Sequence, residues 1–255
     1  MTADLAATAR LTADLGVPHG FFTRLGGVSE GPFASLNASL SGQDRREAVL
    51  ENRARAARAI GADPASLVGL TQVHGAEAVR VTTAWLPGAG PRADAAVTDR
   101  PGVALGIVTA DCAPVLFADI AAGVVGAAHA GWRGALAGVL EATMAAMVAL
   151  GATPARIVAA IGPCIGQGSY EVAADLRDAV LARDAADARH FAAGRPERWQ
   201  FDLAGYCAAR LAAAGAVVRL AAADTCADEA RFFSHRRRTL SGGGPIGHQI
   251  SVISL

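Results

Sequence analysis

Lysine is absent. All 23 basic residues of the 255-residue chain are arginine. No side-chain amine is therefore available for a Schiff base, a Walker phosphate loop or a serine–lysine hydrolase. An excess of one charge is also missing, because 23 acidic residues balance the arginines. With no long block of like charge, nothing favours nucleic acid or an anionic membrane. The short run Arg236, Arg237, Arg238 is the one exception, and a solvated turn explains it as well as a ligand would. The longest apolar runs contain glycine and fall short of a bilayer span. The N-terminal MTADLAATARLTADLG carries acidic residues and no apolar signal core, which predicts a soluble cytoplasmic protein. Only four cysteines occur, Cys112, Cys164, Cys207 and Cys226, and none form a CxxC pair. A disulfide framework and a four-thiolate zinc site are both disfavoured, and free buried thiols are the default.

What is present is a chain 52% hydrophobic, much of it alanine. Its length fits one large domain or two small ones, and neither a repeat nor a clear linker divides it, so residues 1–255 read as one unit. VPHGFFTR (17–24) reads as a strand. From Asp44 the chain has helical spacing at Val49, Leu50, Arg53, Ala57 and Ile60, with Gly61 suited to the end. LVGLTQVH (67–74) and AEAVRVTT (76–83) are β-rich. ADAAVTD, VALGIVTAD, APVLFADI and GVVGAAHA follow as four short strands, apolar on both faces. One helix is predicted from Trp132 to Gly151, a strand over 156–162, helices over 171–185 and 202–214, and strands over 217–222 and 248–255. Strands cluster before helices intervene, which predicts a mixed α+β sandwich rather than a doubly wound parallel sheet.

Three glycine patterns need weighing. GVSEG (27–31) matches a nucleophile elbow, but Arg24 and Gly26 stand where a buried strand should end and Pro32 follows. GGGPIG (242–247) matches a dinucleotide fingerprint, yet no βαβ unit can follow it, so a flexible turn is the better reading. GPCIGQGSY (162–170) could expose backbone N–H groups to an anion or be a tight connection.

His74, Cys112 and His129 each lie where an apolar run meets a glycine or an acidic residue. If their strands are neighbours, the three side chains converge. Two chemistries then stand open. An imidazole can take the thiol proton and leave a nucleophilic thiolate. Alternatively, two imidazoles and a thiolate give three ligands for Zn²⁺, with a fourth position open. Asp111 adjoins the thiol and either orients a ligand or caps a turn. Arg133 follows Gly131 and Trp132 at a helix start, where it either meets a phosphate or stays on the surface.

TRLGGVSEGPFASLN (23–37), ENRAR (51–55), LTQVHG (70–75), ADAAVTDRPGVAL (93–105), TADCAPVLFAD (109–119), AAHAGWRG (127–134), AAIGPCIGQGSYEV (159–172) and FFSHRR (232–237) occur in this order. Together they resemble the YfiH family of laccase-domain proteins. The resemblance implies an α/β/β/α sandwich like that of cysteine hydrolases. It also implies one metal centre on His74, Cys112 and His129, holding zinc or copper. The implied activities are phosphorolysis of adenosine, inosine, guanosine and S-methyl-5′-thioadenosine, with adenosine deamination. Purine nucleoside and phosphate are then the small-molecule partners. Some members are linked instead to peptidoglycan editing, which keeps an amide hydrolase with nucleophile Cys112 and base His129 as the rival. A non-catalytic nucleoside-binding module is a third reading. Arg24 and Asn37 fall in the resembling N-terminal stretch and are expected to line the pocket. The tail departs from the family pattern: His248 stands where an arginine is expected, after an unusual SGGGP.

Overall fold

The computed structural model describes residues 10–255, so the first nine residues of the acidic N-terminal stretch fall outside it. The apolar runs form strands whose alternate side chains enter two different layers. Along Ala113–Asp119 (β7 below), Val115 and Phe117 join one apolar cluster while Leu116 and Ala118 join another.

Among the described residues, fourteen strands occur in three sheets. In chain order they are β1 (Arg10–Leu11), β2 (His19–Phe22), β3 (Leu67–Gly69), β4 (Ala78–Arg80), β5 (Ala95–Thr98), β6 (Ala104–Thr109) and β7 (Ala113–Asp119). Then come β8 (Val124–Ala130), β9 (Val158–Ile161), β10 (Glu171–Val172), β11 (Phe191–Ala193), β12 (Trp199–Phe201), β13 (Val217–Leu220) and β14 (Gln249–Ser254). The five-stranded sheet has the order β1-β2-β14-β6-β3, and the six-stranded sheet β13-β9-β7-β8-β5-β4. A small sheet, β10-β12-β11, stands apart. The helices are α1 (Arg46–Ala59), α2 (Trp132–Ala137), α3 (Val139–Val148), α4 (Ala174–Arg183), α5 (Leu203–Ala213) and α6 (His235–Leu240).

The packing is four layers deep. Ala56, Ala57 and Ile60 of the α1 region meet Phe22, Leu67, Ile250 and Val252 of the five-stranded sheet. The opposite face of that sheet, with Phe21, Leu105, Ile107 and Ile253, meets Leu116, Val125 and Ala127 of the six-stranded sheet. Beyond it, Leu140, Met144 and Met147 of α3 and Tyr206 and Leu211 of α5 pack on Val115, Phe117 and Val124. This is the mixed α+β sandwich expected. Among the described residues, no helix is long and apolar enough to cross a membrane.

Several elements differ from expectation. The helix predicted from Trp132 to Gly151 is broken at Gly138, whose φ of 100° is left-handed and ends one helix as it begins the next. LVGLTQVH is a strand only to Gly69; beyond it the Gln72 side chain takes over the pairing, donating to Val108 O at 2.8 Å and accepting from Val108 N at 2.9 Å. The run Arg236–Arg238 lies in α6 rather than a solvated turn. Arg237 there donates to the carbonyls of Thr225, Cys226 and Phe232. The loop 162–170 does cradle an anion, and the anion is the chain's own Asp224. Its carboxylate accepts from Ser169 Oγ and from the backbone of Gly166, Cys226 and Ala227. Ser29 of GVSEG is buried and donates to Asp44 at 2.6 Å, so it is no exposed nucleophile.

Candidate active site and metal centre

Antiparallel pairing brings two of the three singled-out residues together. The register of β7 with β8 sets Ala113 opposite Ala130 and Pro114 opposite His129. Cys112, one residue ahead of β7, therefore lies beside the end of β8 that carries His129. His74 arrives from the other sheet. It follows β3, which runs parallel to β6 with Leu67 opposite Ala104. The chain itself crosses between sheets at the site, because β6 ends at Thr109 in one sheet and β7 begins at Ala113 in the other.

Asp94 fixes the arrangement. Its fully buried carboxylate accepts the backbone N–H groups of Val73 at 3.1 Å, His74 at 2.9 Å and Gly75 at 2.7 Å. It also accepts Nδ1–H of His129 at 2.8 Å. A carboxylate has no proton to give, so Nδ1 carries the hydrogen and Nε2 is left free to accept a proton or bind a metal. The backbone is strained here. His74 has φ 59° and Asp111 has φ 87°, and of the three non-glycine residues with positive φ among the described residues only Glu197 lies elsewhere.

Ligand atoms of His74, Cys112 and His129 lie within 4.8 Å of one another. The two rings meet edge-on, with centroids 4.7 Å apart. Gly131 leaves room for them: a Cβ there would come 3.0 Å from Cys112 Sγ and 3.2 Å from His74 Cδ2. Burial pushes the Cys112 thiol up, but the charge and hydrogen bond of His129, with help from His74, overcome it and hold the group well below its usual value. Burial works against the His129 cation, and the Cys112 thiolate and Asp94 reverse that, raising His129 well above an ordinary imidazole. The two form a thiolate–imidazolium pair.

The group opens into a cavity of about 480 Å³. Arg133 lines it, exposed, its guanidinium 4.5 Å above the Trp132 ring. Arg236, His235 and Tyr170 line it as well, with Arg236 stacked 5.3 Å from the Tyr170 ring. His248 lines it too. Its N–H donates to Asn37 Oδ1 at 2.9 Å, its Nδ1 is buried without a partner, and burial pulls its pKa down to about 4.

Arg24 and Asn37 do not line this cavity, contrary to expectation. Arg24 lies over the Phe233 ring at 4.5 Å and donates to Ala34 O, which fixes a loop. Asn37 is fully buried and reaches the cavity only through the backbone N–H groups of Ser39 and His248, which its Oδ1 accepts. Asp111 orients no ligand of the triad. It accepts from Thr225 Oγ1, Ser234 Oγ and the Arg236 N–H, and so ties α6 to the site. Cys164 is a buried thiol within the core. Asp94 escaped the sequence reading, although its signal was there: a carboxylate at the head of an otherwise apolar strand, once buried, must find donors.

The donor set suits one metal ion, with two imidazoles, one thiolate and an open side toward the cavity. It does not suit a cluster of several coppers. Six histidines serve the whole chain, and among the described residues this is the single group of three metal-capable side chains.

Fold and site together define a class: a layered mixed α/β protein with a three-donor His–Cys–His centre at the seam of two sheets. The family model described as multi-copper polyphenol oxidoreductase laccase matches residues 18–255. The chain belongs to this laccase-domain, or YfiH, family. It is 46% identical over 242 residues to a purine nucleoside phosphorylase of Deinococcus radiodurans, covering 95% of this chain and 90% of that one. It is 39% identical to purine nucleoside phosphorylase YfiH of Escherichia coli, covering 86% and 88%. Among solved structures, a Neisseria meningitidis protein of family DUF152 superposes with TM-score 0.87 at 36% identity, over 97% of this chain and 99% of that one. YlmD from Geobacillus stearothermophilus does so with TM-score 0.83 at 33% identity, over 92% and 90%.

Proposed function

We propose that this chain, as one domain, is a cytoplasmic, metal-dependent purine nucleoside phosphorylase. Its substrates on this reading are adenosine, inosine, guanosine and S-methyl-5′-thioadenosine with phosphate, and adenosine deamination occurs at the same centre. The observation that carries it is the convergence of His74, Cys112 and His129 on a cavity edged by Arg133 and Arg236. Relatives named purine nucleoside phosphorylase support it. Phosphorolysis breaks the bond between the anomeric carbon and the purine as phosphate attacks that carbon, through an oxocarbenium-like transition state. The purine leaves with negative charge and must receive a proton. Asp94 and the thiolate hold His129 cationic and able to supply one only while its Nε2 carries no metal; with the triad loaded, the proton must come from outside it. Arg133 and Arg236 bring positive charge to the anionic co-substrate. His74, Cys112 and His129 would hold the metal, zinc or copper, which supplies Lewis acidity at the open position.

The test incubates each nucleoside with and without phosphate and follows free base and ribose 1-phosphate by chromatography. Phosphate-dependent release of both is expected. Cys112→Ala should abolish turnover while circular dichroism stays unchanged. Full activity in that variant, or base release indifferent to phosphate, overturns the reading.

One observation favours a second reading. Cys112, His129 and Asp94 stand in the order nucleophile, base, orienting acid. An amide hydrolase acting on UDP-muramoyl precursors would use that line. Activity that survives chelation and dies on thiol alkylation would select it.

A further inference from the structure

A second cavity, of about 210 Å³, adjoins the first and shares Ser39, Ser41, Gln72 and Val108 with it. No acidic residue lines it, and Arg53 is its one ionised side chain. Arg53 projects from α1 and is 5% exposed. Its Nη1 donates to Ala38 O at 3.3 Å, and its Nη2 is buried with no partner. The guanidinium lies over the bare backbone of Gly69, where a Cβ would stand 2.9 Å from Nη2.

The neighbouring residue shows how unusual this is. Asn52 is also buried, yet its amide donates to Ser29 Oγ, Ser35 O and Asn37 O, and its carbonyl accepts the Val28 N–H. One polar side chain of α1 is fully satisfied and the next lacks a counter-charge. Burial alone acts on Arg53 and pulls its pKa down to about 10, so the charge persists at neutral pH. A desolvated cation with no anion is unfavourable, and an anionic ligand removes the deficit. The surroundings suit a small oxyanion. The hydroxyls of Ser39 and Ser41 lie 3.1 Å apart on the shared wall. Arg46, exposed on α1 and donating to Pro87 O, stands 3.9 Å from where a Cβ on the cavity-lining Gly88 would be. A phosphoryl group takes several such donors at once and matches the guanidinium fork.

We propose that the Arg53 cavity is a phosphoryl-oxyanion subsite adjoining the His74–Cys112–His129 cavity, with Arg53 as its anchoring cation. The ligand is a phosphoryl group, either free as inorganic phosphate or carried on a sugar. The choice of phosphoryl over another oxyanion rests on the phosphorolysis reading. Arg133, exposed at the mouth, meets the anion on entry, and Arg53 holds it.

The experiment is isothermal titration of the intact protein with inorganic phosphate and, separately, with ribose 1-phosphate. It is run on the wild type, Arg53→Met and Gly69→Ala. Gly69→Ala keeps the buried arginine and displaces only the far end of its flexible side chain, so it guards against a misfolded Arg53→Met. Wild type should bind at least one probe, and both variants should lose at least tenfold in affinity with unchanged circular dichroism. Binding of inorganic phosphate assigns the free ion; binding of ribose 1-phosphate alone assigns the sugar-borne group; either sustains the subsite. A folded variant that binds as the wild type does, or a wild type that binds neither probe, overturns it. Steady-state kinetics separates this from the phosphorolysis reading. Arg53-dependent phosphate binding without nucleoside turnover sustains the subsite and removes phosphorolysis. Turnover with an unchanged KM for phosphate in Arg53→Met removes the subsite alone.

Discussion

Asp94 holds both halves of the site at once, gripping the His74 backbone and the His129 ring with one carboxylate. Asp94→Asn keeps the shape but replaces one acceptor oxygen by a donor that faces N–H groups. Outer partners of a metal-binding histidine are typically worth 10- to 100-fold in affinity or activity, on the order of which this variant should lose. Metal analysis and nucleoside kinetics on the folded variant check it. The thiol offers a second measurement. Its pKa lies below the ordinary value, so the thiolate exists at neutral pH and is lost only as pH falls through the lowered value. Alkylation of the metal-free protein by iodoacetamide should therefore have its midpoint well below about 8.5, the free-cysteine value. His129→Gln should move that midpoint upward. A wild-type midpoint near the free-cysteine value would contradict the pair. At this scale the sequence was only half legible. His74, Cys112 and His129 stand out because they interrupt or end apolar runs. Arg53 fell on the apolar spacing of a helix and read as one more position of its buried face. Only the structure shows that its charge there has no partner.

At the scale of elements, the β7–β8 hairpin was readable because both runs are apolar on both faces, and its pairing alone carries Cys112 to His129. The break at Gly138 was not readable, since glycine inside an apolar alanine-rich stretch is tolerated in a helix. With φ at 100°, Gly138 needs the left-handed region. Gly138→Ala should cost about 1–2 kcal/mol, the usual penalty of a side chain in that conformation. A thermal melt would show it as a fall of a few degrees, and an unchanged melting temperature would mean the joint can straighten. The β11–β12 pair, Phe191–Ala193 with Trp199–Phe201, was also missed. Its short strands flank a polar arginine-rich turn and give no alternation long enough to read. α6 hid for a related reason, because its arginines suggested solvent while Arg237 in fact ties carbonyls of the preceding loop.

For the whole molecule, the clustering of strands ahead of helices announced layers, and layers are what the three apolar clusters form. Which strands pair across long stretches of sequence was beyond reading, because those contacts depend on the shape of the whole. β14 is the clearest case: it lies between β2 and β6, more than a hundred residues from either. A metal held by His74 from one sheet and by Cys112 and His129 from the other binds only the folded state. Stripping the protein with a chelator should therefore lower its melting temperature by several degrees, and zinc added back should restore it. A melt indifferent to both would argue against a shared ion.

Because β14 fills the gap between β2 and β6, the five-stranded sheet stays in two pieces until that strand is inserted. The groups on its flank, including His248, take their places at the same moment. A chain cut short before Gln249 should then be unable to load ligand at all, rather than load it weakly. On the metal-binding reading, uptake of the ion then waits on insertion of this strand.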